Sequence, residues 1–296
     1  MALRNVVAVA NGKGGVGKTS VTANVAGTAA LSGWRVLAVD LDPQGNLGND
    51  LGYNADDRSD RGRGLLQAVI AGSAPAVLRA VRPGLDVIAG GEATEELEAI
   101  LTMRQQRDGS AVRAFAEAVS RVGDYQLILV DCPPSSGVLL DAALMAARFL
   151  VIPTRGDSGS LDGLVKVARR FAQVRAAGNP AIELLGVVLF DFGKKDTAVL
   201  GRVRERLTED LAGTAPVFEA FIRNSRMAPG DMRDLGVLAY EYETAAAQAP
   251  SWFRDPTARR YSRSAGGLAE DYQALTTEIL TAFSAQRSAE LAPVTS

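Results

Sequence analysis

Histidine is absent from all 296 residues, and cysteine occurs once, at Cys132. Without histidine there is no Ser-His-Asp hydrolase, no imidazole general base and no histidine-ligated metal, whatever the fold. A single cysteine closes no intrachain disulfide and builds no zinc cluster, which suits a reducing compartment. An excess of one charge is also missing: 32 lysines and arginines against 34 aspartates and glutamates give a formal net charge of −2. That excludes a globally basic nucleic-acid binder and leaves room for a local arginine patch. No apolar run approaches the roughly 20 residues that cross a bilayer, and the run before the first glycine loop is too short for a secretory leader. The expected location is therefore the cytoplasm.

What is present is core material, 47% hydrophobic residues with 22% charged, ordinary for a folded α/β protein. Apolar, β-branched runs read as strands at Asn5–Ala10, Arg35–Asp40, Leu85–Ala89, Gln126–Asp131, Phe149–Pro153 and Leu184–Phe190, with a shorter one at Pro216–Phe218. Helical periods fill Thr19–Ser32, Ala111–Val122, Ser135–Ala147, Ser160–Ala177, Thr197–Leu211 and Gly267–Phe283. Near-continuous apolar strands alternating with helices predict a doubly wound, mostly parallel sheet flanked by helices. The expected organisation is a single domain over residues 1–285, with Asn54–Gly64 as an exposed loop and residues 286–296 as a loose tail.

The stretch NGKGGVGKTS at residues 11–20 fits two phosphate-binding patterns. Gly12-x-Gly14-x-x-Gly17 is the dinucleotide turn of a Rossmann fold, and Asp40 lies where that fold wants its ribose acid. Gly12-x-x-x-x-Gly17-Lys18-Thr19 is a P-loop for a magnesium triphosphate. The surroundings favour the second. A Rossmann turn has no use for Lys18 or Thr19, and strand Gln126–Asp131 ends in a carboxylate, as a Walker-B strand does. DLDPQGN sets two acids, Asp40 and Asp42, beside the loop, where one steers water and the other serves magnesium or loop order. The expected nucleotide cradle is Gly12, Lys13, Gly14, Gly15, Val16, Gly17, Lys18, Thr19 and Ser20, with Thr19, Asp40 and Asp131 toward Mg²⁺. Asp40 has an alternative as a structural acid bonded to the loop backbone.

These residues carry a family resemblance. KGGVGKT, with Lys13 ahead of Gly14-Gly15, resembles the deviant Walker A of the ParA/MinD group of P-loop ATPases. DLDPQGN (40–46) resembles its Walker A′, LILVDCPPS (127–135) its Walker B, and VIPTRGDSGSLDGL (151–164) the strand and helix start of its partition branch. VFEAFIRNSRMAP (217–229) is a looser match to the basic strand and loop that follow. The resemblance implies an ATP- and Mg²⁺-dependent partition ATPase that forms an ATP-sandwich homodimer on nonspecific DNA of the nucleoid. A ParB-like partner would release it by stimulating hydrolysis. On that likeness Lys13 reaches the partner subunit's nucleotide, Lys18 contacts the β/γ-phosphates and Asp42 positions the attacking water.

The same likeness points to Arg223 and Arg226 as DNA contacts. Arg202 and Arg206, four apart on one helix face, form a further candidate pair. A segment longer than the family's at 244–267 sets Arg254, Arg259, Arg260 and Arg263 among Trp252, Phe253 and Tyr261, and arginines interleaved with aromatics suit phosphates and bases. The ending AQRSAELAPVTS lacks the basic amphipathic helix of membrane-bound MinD relatives, so no membrane contact is expected. Relatives that need ligand cysteines, such as nitrogenase reductase, are excluded by the lone Cys132. The rival readings are a ParA-like ATPase positioning a protein cargo, a nucleotide-binding regulator of negligible turnover, and a Rossmann oxidoreductase.

Overall fold

The computed structural model describes residues 2–109, 111–134, 137–193, 196–211, 215–225, 227–249, 261–262 and 267–291. Eight strands form one sheet within these: β1 (Leu3–Val9), β2 (Val36–Asp40), β3 (Leu78–Arg82), β4 (Leu85–Ile88), β5 (Leu127–Asp131), β6 (Ala147–Thr154), β7 (Glu183–Phe192) and β8 (Val217–Arg223). Their order across the sheet is β3-β4-β2-β5-β1-β6-β7-β8. Every neighbouring pair is parallel except β3 and β4.

Successive side chains of a strand point to opposite faces, so each buried strand feeds two cores. In β1, Val6 and Ala8 enter one core while Val7 and Val9 enter the other, and β5 divides the same way into Ile128, Val130 and Leu127, Leu129. The first core is covered by α3 (Arg63–Ala71), α4 (Ala93–Asp108), α5 (Ala111–Val119), α6 (Gly137–Ala146) and α7 (Ser158–Ala177), with Leu207 of α8 (Thr197–Asp210) reaching its edge. The second is covered by α1 (Lys18–Leu31), α2 (Asn46–Asp50), α9 (Ala228–Leu235), α10 (Ala239–Gln248) and α11 (Leu268–Leu291). Buried Leu268, Tyr272, Leu275, Ile279 and Phe283 make the apolar stripe of α11. Phe283 closes it edge-on against Phe149 of β6 at 5.5 Å between ring centroids.

The parallel sheet appears as expected, with elements the periodicity did not mark. The strand β3 pairs antiparallel at the edge, and its alternation is masked by arginines at positions 79 and 82. Helix α11 continues to Leu291, which corrects the expected loose tail over residues 286–291. The exposed loop gives way to α3 at Arg63, two residues before its expected end. Much of the 244–267 segment, with Arg254, Arg259, Arg260 and Arg263, lies outside the described residues, as does Arg226. Parallel strands open their carboxyl ends on one edge of the sheet, so the loops after β1, β2, β5, β6 and β7 converge there.

Candidate nucleotide site

The loop after β1 folds over the start of α1, with Gly15 and Gly17 in the left-handed region at φ 73° and 90°. Gly17 could carry no side chain there, since a Cβ would lie 2.3 Å from the Phe190 ring. The near side of the loop rests on α7. Gly12 donates its N–H to the Gly163 carbonyl at 3.2 Å, and a Cβ on Gly163 would meet Asn11 Oδ1 at 2.2 Å and the Lys13 nitrogen at 2.9 Å. Asn11 braces the same contact: its Oδ1 accepts from the Lys13 N–H at 2.9 Å and its Nδ2 donates to Pro153 O at 2.8 Å.

Lys18 is buried and donates from Nζ to the Lys13 carbonyl at 3.0 Å. Burial lowers its pKa, while Asp131 and Asp42 pull it back up, so the cation faces two acids. Asp131, at the end of β5, is fully buried, and among the described residues neither carboxylate oxygen makes a well-formed hydrogen bond, the Thr19 hydroxyl being its nearest polar neighbour. Burial pushes this carboxyl up to about 7, with the neighbouring Thr19 hydroxyl and the Lys18 ammonium favouring the ionised form. A buried, unsatisfied carboxylate is costly unless something pairs with it. Oxygen donors at Asp131 and Thr19 beside a triphosphate cradle are the hard ligands that Mg²⁺ accepts, so the residues present fit that ion.

Asp40 takes the other expected role. Its Oδ1 accepts the Asp42 N–H at 2.9 Å and its Oδ2 the Leu47 N–H at 3.2 Å. Burial and the nearby Asp131 raise its pKa well above the usual carboxylate range. Both oxygens thus accept backbone N–H groups of the 40–47 loop, as the structural alternative expects. Asp42 is thereby presented to the cleft, its Oδ1 accepting from the Gln44 N–H at 3.0 Å.

The cleft, of about 450 Å³, is lined by Gly14, Gly15, Gly17, Lys18, Thr19 and Ser20, by Asp42, and by Pro134, Arg155, Phe190 and Arg233. A second cavity of about 200 Å³ adjoins it, shares Ser20, Arg155, Phe190 and Arg233, and adds apolar Ile222, Met232 and Val237. A polar, cationic cleft opening into a half-apolar cavity matches a nucleotide's phosphates and base. Sequence patterns missed these lining residues because α9 and β7 reach the cleft through tertiary packing alone.

Lys13 stands at the rim, its Nζ 2.5 Å from Asp157 Oδ1. Asp157 also caps α7, accepting the Ser160 N–H at 3.0 Å and the Ser160 hydroxyl at 2.8 Å. Lys13 and these bonds hold its carboxyl down to about 2. The acid lies inside the quoted 151–164 segment, yet nothing in its spacing pairs it with a lysine 144 residues away.

Of the arginines expected on DNA, Arg202 and Arg206 are exposed on α8, Arg206 lying 3.7 Å from Asp210. Arg223 is ion-paired within the chain. Its guanidinium grips Asp271 of α11 with two bonds of 2.6 Å and turns toward the second cavity rather than outward.

A family model described as an AAA domain matches residues 4–184. The chromosome partitioning protein ParA of Caulobacter vibrioides is 35% identical over 250 residues, covering 82% of this chain and 90% of that protein. The chromosome-partitioning ATPase Soj of Thermus thermophilus is 32% identical over 273 residues, covering 90% and 95%. Among solved structures, a cobyrinic acid a,c-diamide synthase from Mycobacterium smegmatis with ADP and magnesium is 26% identical at a TM-score of 0.63, covering 88% of this chain and 99% of that one. A pnob8 ParA shares the fold at a TM-score of 0.71 and 19% identity, covering 95% and 99%.

Proposed function

This chain belongs to the ParA-type family of deviant Walker A P-loop ATPases, and we propose that it is a DNA-partition ATPase whose ATP-bound dimer binds nonspecific DNA. The observation that carries the nucleotide half is Asp131, a buried carboxylate with no well-formed hydrogen bond among the described residues, facing Lys18 and Thr19. Phosphoryl transfer asks for position and charge rather than covalent help, so a chain without histidine can perform it. Lys18 binds the β/γ-phosphates, and Thr19 with Asp131 would hold Mg²⁺, which supplies charge neutralisation at those oxygens. Asp42 orients the attacking water. Lys13, resting on Asp157, is free to exchange that exposed acid for a nucleotide across a dimer interface, which makes turnover conditional on pairing.

The DNA half rests on the named relatives and on the exposed Arg202–Arg206 pair of α8. Release by a ParB-like partner completes the cycle, in the cytoplasm on the nucleoid. Among the described residues no helix is long and apolar enough to cross a membrane. Thermal unfolding tests the nucleotide half. At 100 times its dissociation constant, MgATP adds about 2.7 kcal/mol and raises the melting midpoint by several degrees. Lys18→Ala abolishes that rise. Stabilisation by NADH in place of MgATP would overturn the reading in favour of a dinucleotide enzyme.

A further inference from the structure

A second cation of the cleft is held away from any ligand by a partner of its own. Arg155 follows β6 at the mouth of the P-loop and lines both the phosphate cleft and the adjoining cavity. One terminal nitrogen of its guanidinium lies 2.9 Å from Asp191 Oδ2. Its Nε is buried with no hydrogen-bond partner among the described residues, and the group sits 5.9 Å from the centre of the Phe190 ring. Asp191, next to last in β7, has a left-handed backbone conformation, φ 69°, and its Oδ1 accepts from Asn224 Nδ2 at 2.5 Å. A non-glycine residue held there is uncommon, and such conformations gather at functional sites. The side chains of the pair are only partly covered, 39% exposed for Arg155 and 24% for Asp191, so water screens the attraction and separation is cheap.

We propose that Arg155 is a nucleotide-contacting arginine that exchanges Asp191 for a phosphate oxygen of the bound triphosphate. The proposal rests on the nucleotide reading above. MgATP carries about two net negative charges, and Lys18 meets one of them within the subunit. A guanidinium already at the cleft, with an unused Nε–H, is the available second donor, and its planar fork suits phosphate better than a lysine would. Asp191 then acts as the counter-ion of the empty state. Its competition for Arg155 weakens nucleotide binding by the cost of breaking the pair. The turn at 155–157 thus carries the arginine itself and Asp157, the acid that holds Lys13.

The test is MgATP affinity measured by calorimetry on Arg155→Gln, Asp191→Asn and the double variant, with melting midpoints without nucleotide as a fold control. Asn tolerates the left-handed conformation and still accepts from Asn224, so Asp191→Asn keeps that contact while removing the charge and the acceptor that face Arg155. The expected results are about tenfold weaker binding for Arg155→Gln and several-fold tighter binding for Asp191→Asn. In the double variant the gain from Asp191→Asn disappears, because no arginine is left to release. Parent-like binding by Arg155→Gln overturns the proposal. So does an Asp191→Asn gain that persists undiminished in the double variant, since Asp191 would then act as a fixed charge. If the parent itself fails to bind MgATP, the nucleotide reading falls with it, a different result from either of these.

Discussion

Asp131 is the residue in which function and stability oppose each other. Burial pushes its carboxyl up to about 7 in the folded chain, against 3.8 for an unperturbed aspartate. Between these values the folded state binds the extra proton, so its contribution to stability falls as pH rises through this window and is level above it. Asp40 is shifted the same way and adds to the trend. Asp131→Asn should therefore raise the melting midpoint of the nucleotide-free protein by several degrees at pH 8 and by little at pH 4, while removing the MgATP-induced rise. An unchanged midpoint at pH 8 would show that burial of this carboxylate carries no such cost. At this scale the sequence was informative where chemistry sits in a contiguous motif: Lys18, Thr19, Asp42 and Asp131 converge on one cleft. It was silent on Arg155 and Asp157, whose partners lie far along the chain. It also gave no sign that Arg223 pairs with Asp271, which α11 supplies.

Helices position the cleft through close backbone contact. Gly12 and Gly163 bring the P-loop against α7 with no room for a side chain on either. Gly163→Ala should force the Asn11–Lys13 backbone to move, costing about 1–3 kcal/mol and weakening nucleotide binding. Gly201→Ala is the control. Nothing lies within 4 Å of a Cβ there, and alanine in an exposed helix interior gains about 0.5–1 kcal/mol. Equal melting midpoints for the two variants, read by circular dichroism, would remove the close contact from the account. The central strands were legible because burial on both faces leaves them unbroken apolar runs, as in LILVD and RVLAVD. Helix α4 was not, since its first turns, ATEELEAIL, are crowded with glutamate that masks the buried Ala93, Leu97 and Leu101. Short α2 and α9 have too few turns to show a period, and tertiary packing places them.

At the scale of the molecule, a net charge of −2 must be reconciled with the proposed attachment to DNA. Nonspecific attachment then needs a local cationic face, and pairing two chains doubles it, so a dimer holds DNA far better than a monomer. Arg202 and Arg206 on α8 are the exposed arginines that the account places on that face. In the proposed role of orienting water, Asp42 affects the transition state more than binding, so Asp42→Ala should accumulate the ATP-bound form. Analytical ultracentrifugation of Asp42→Ala with a nonspecific DNA duplex tests these links together. The expected species is a dimer that sediments with the DNA in MgATP, and a monomer that leaves it in ADP. Adding Lys13→Ala should return the ATP-bound protein to monomer, and adding Arg202→Glu with Arg206→Glu should leave a dimer off the DNA. A monomer in MgATP, or the same DNA-bound species in ATP and ADP, would contradict the account.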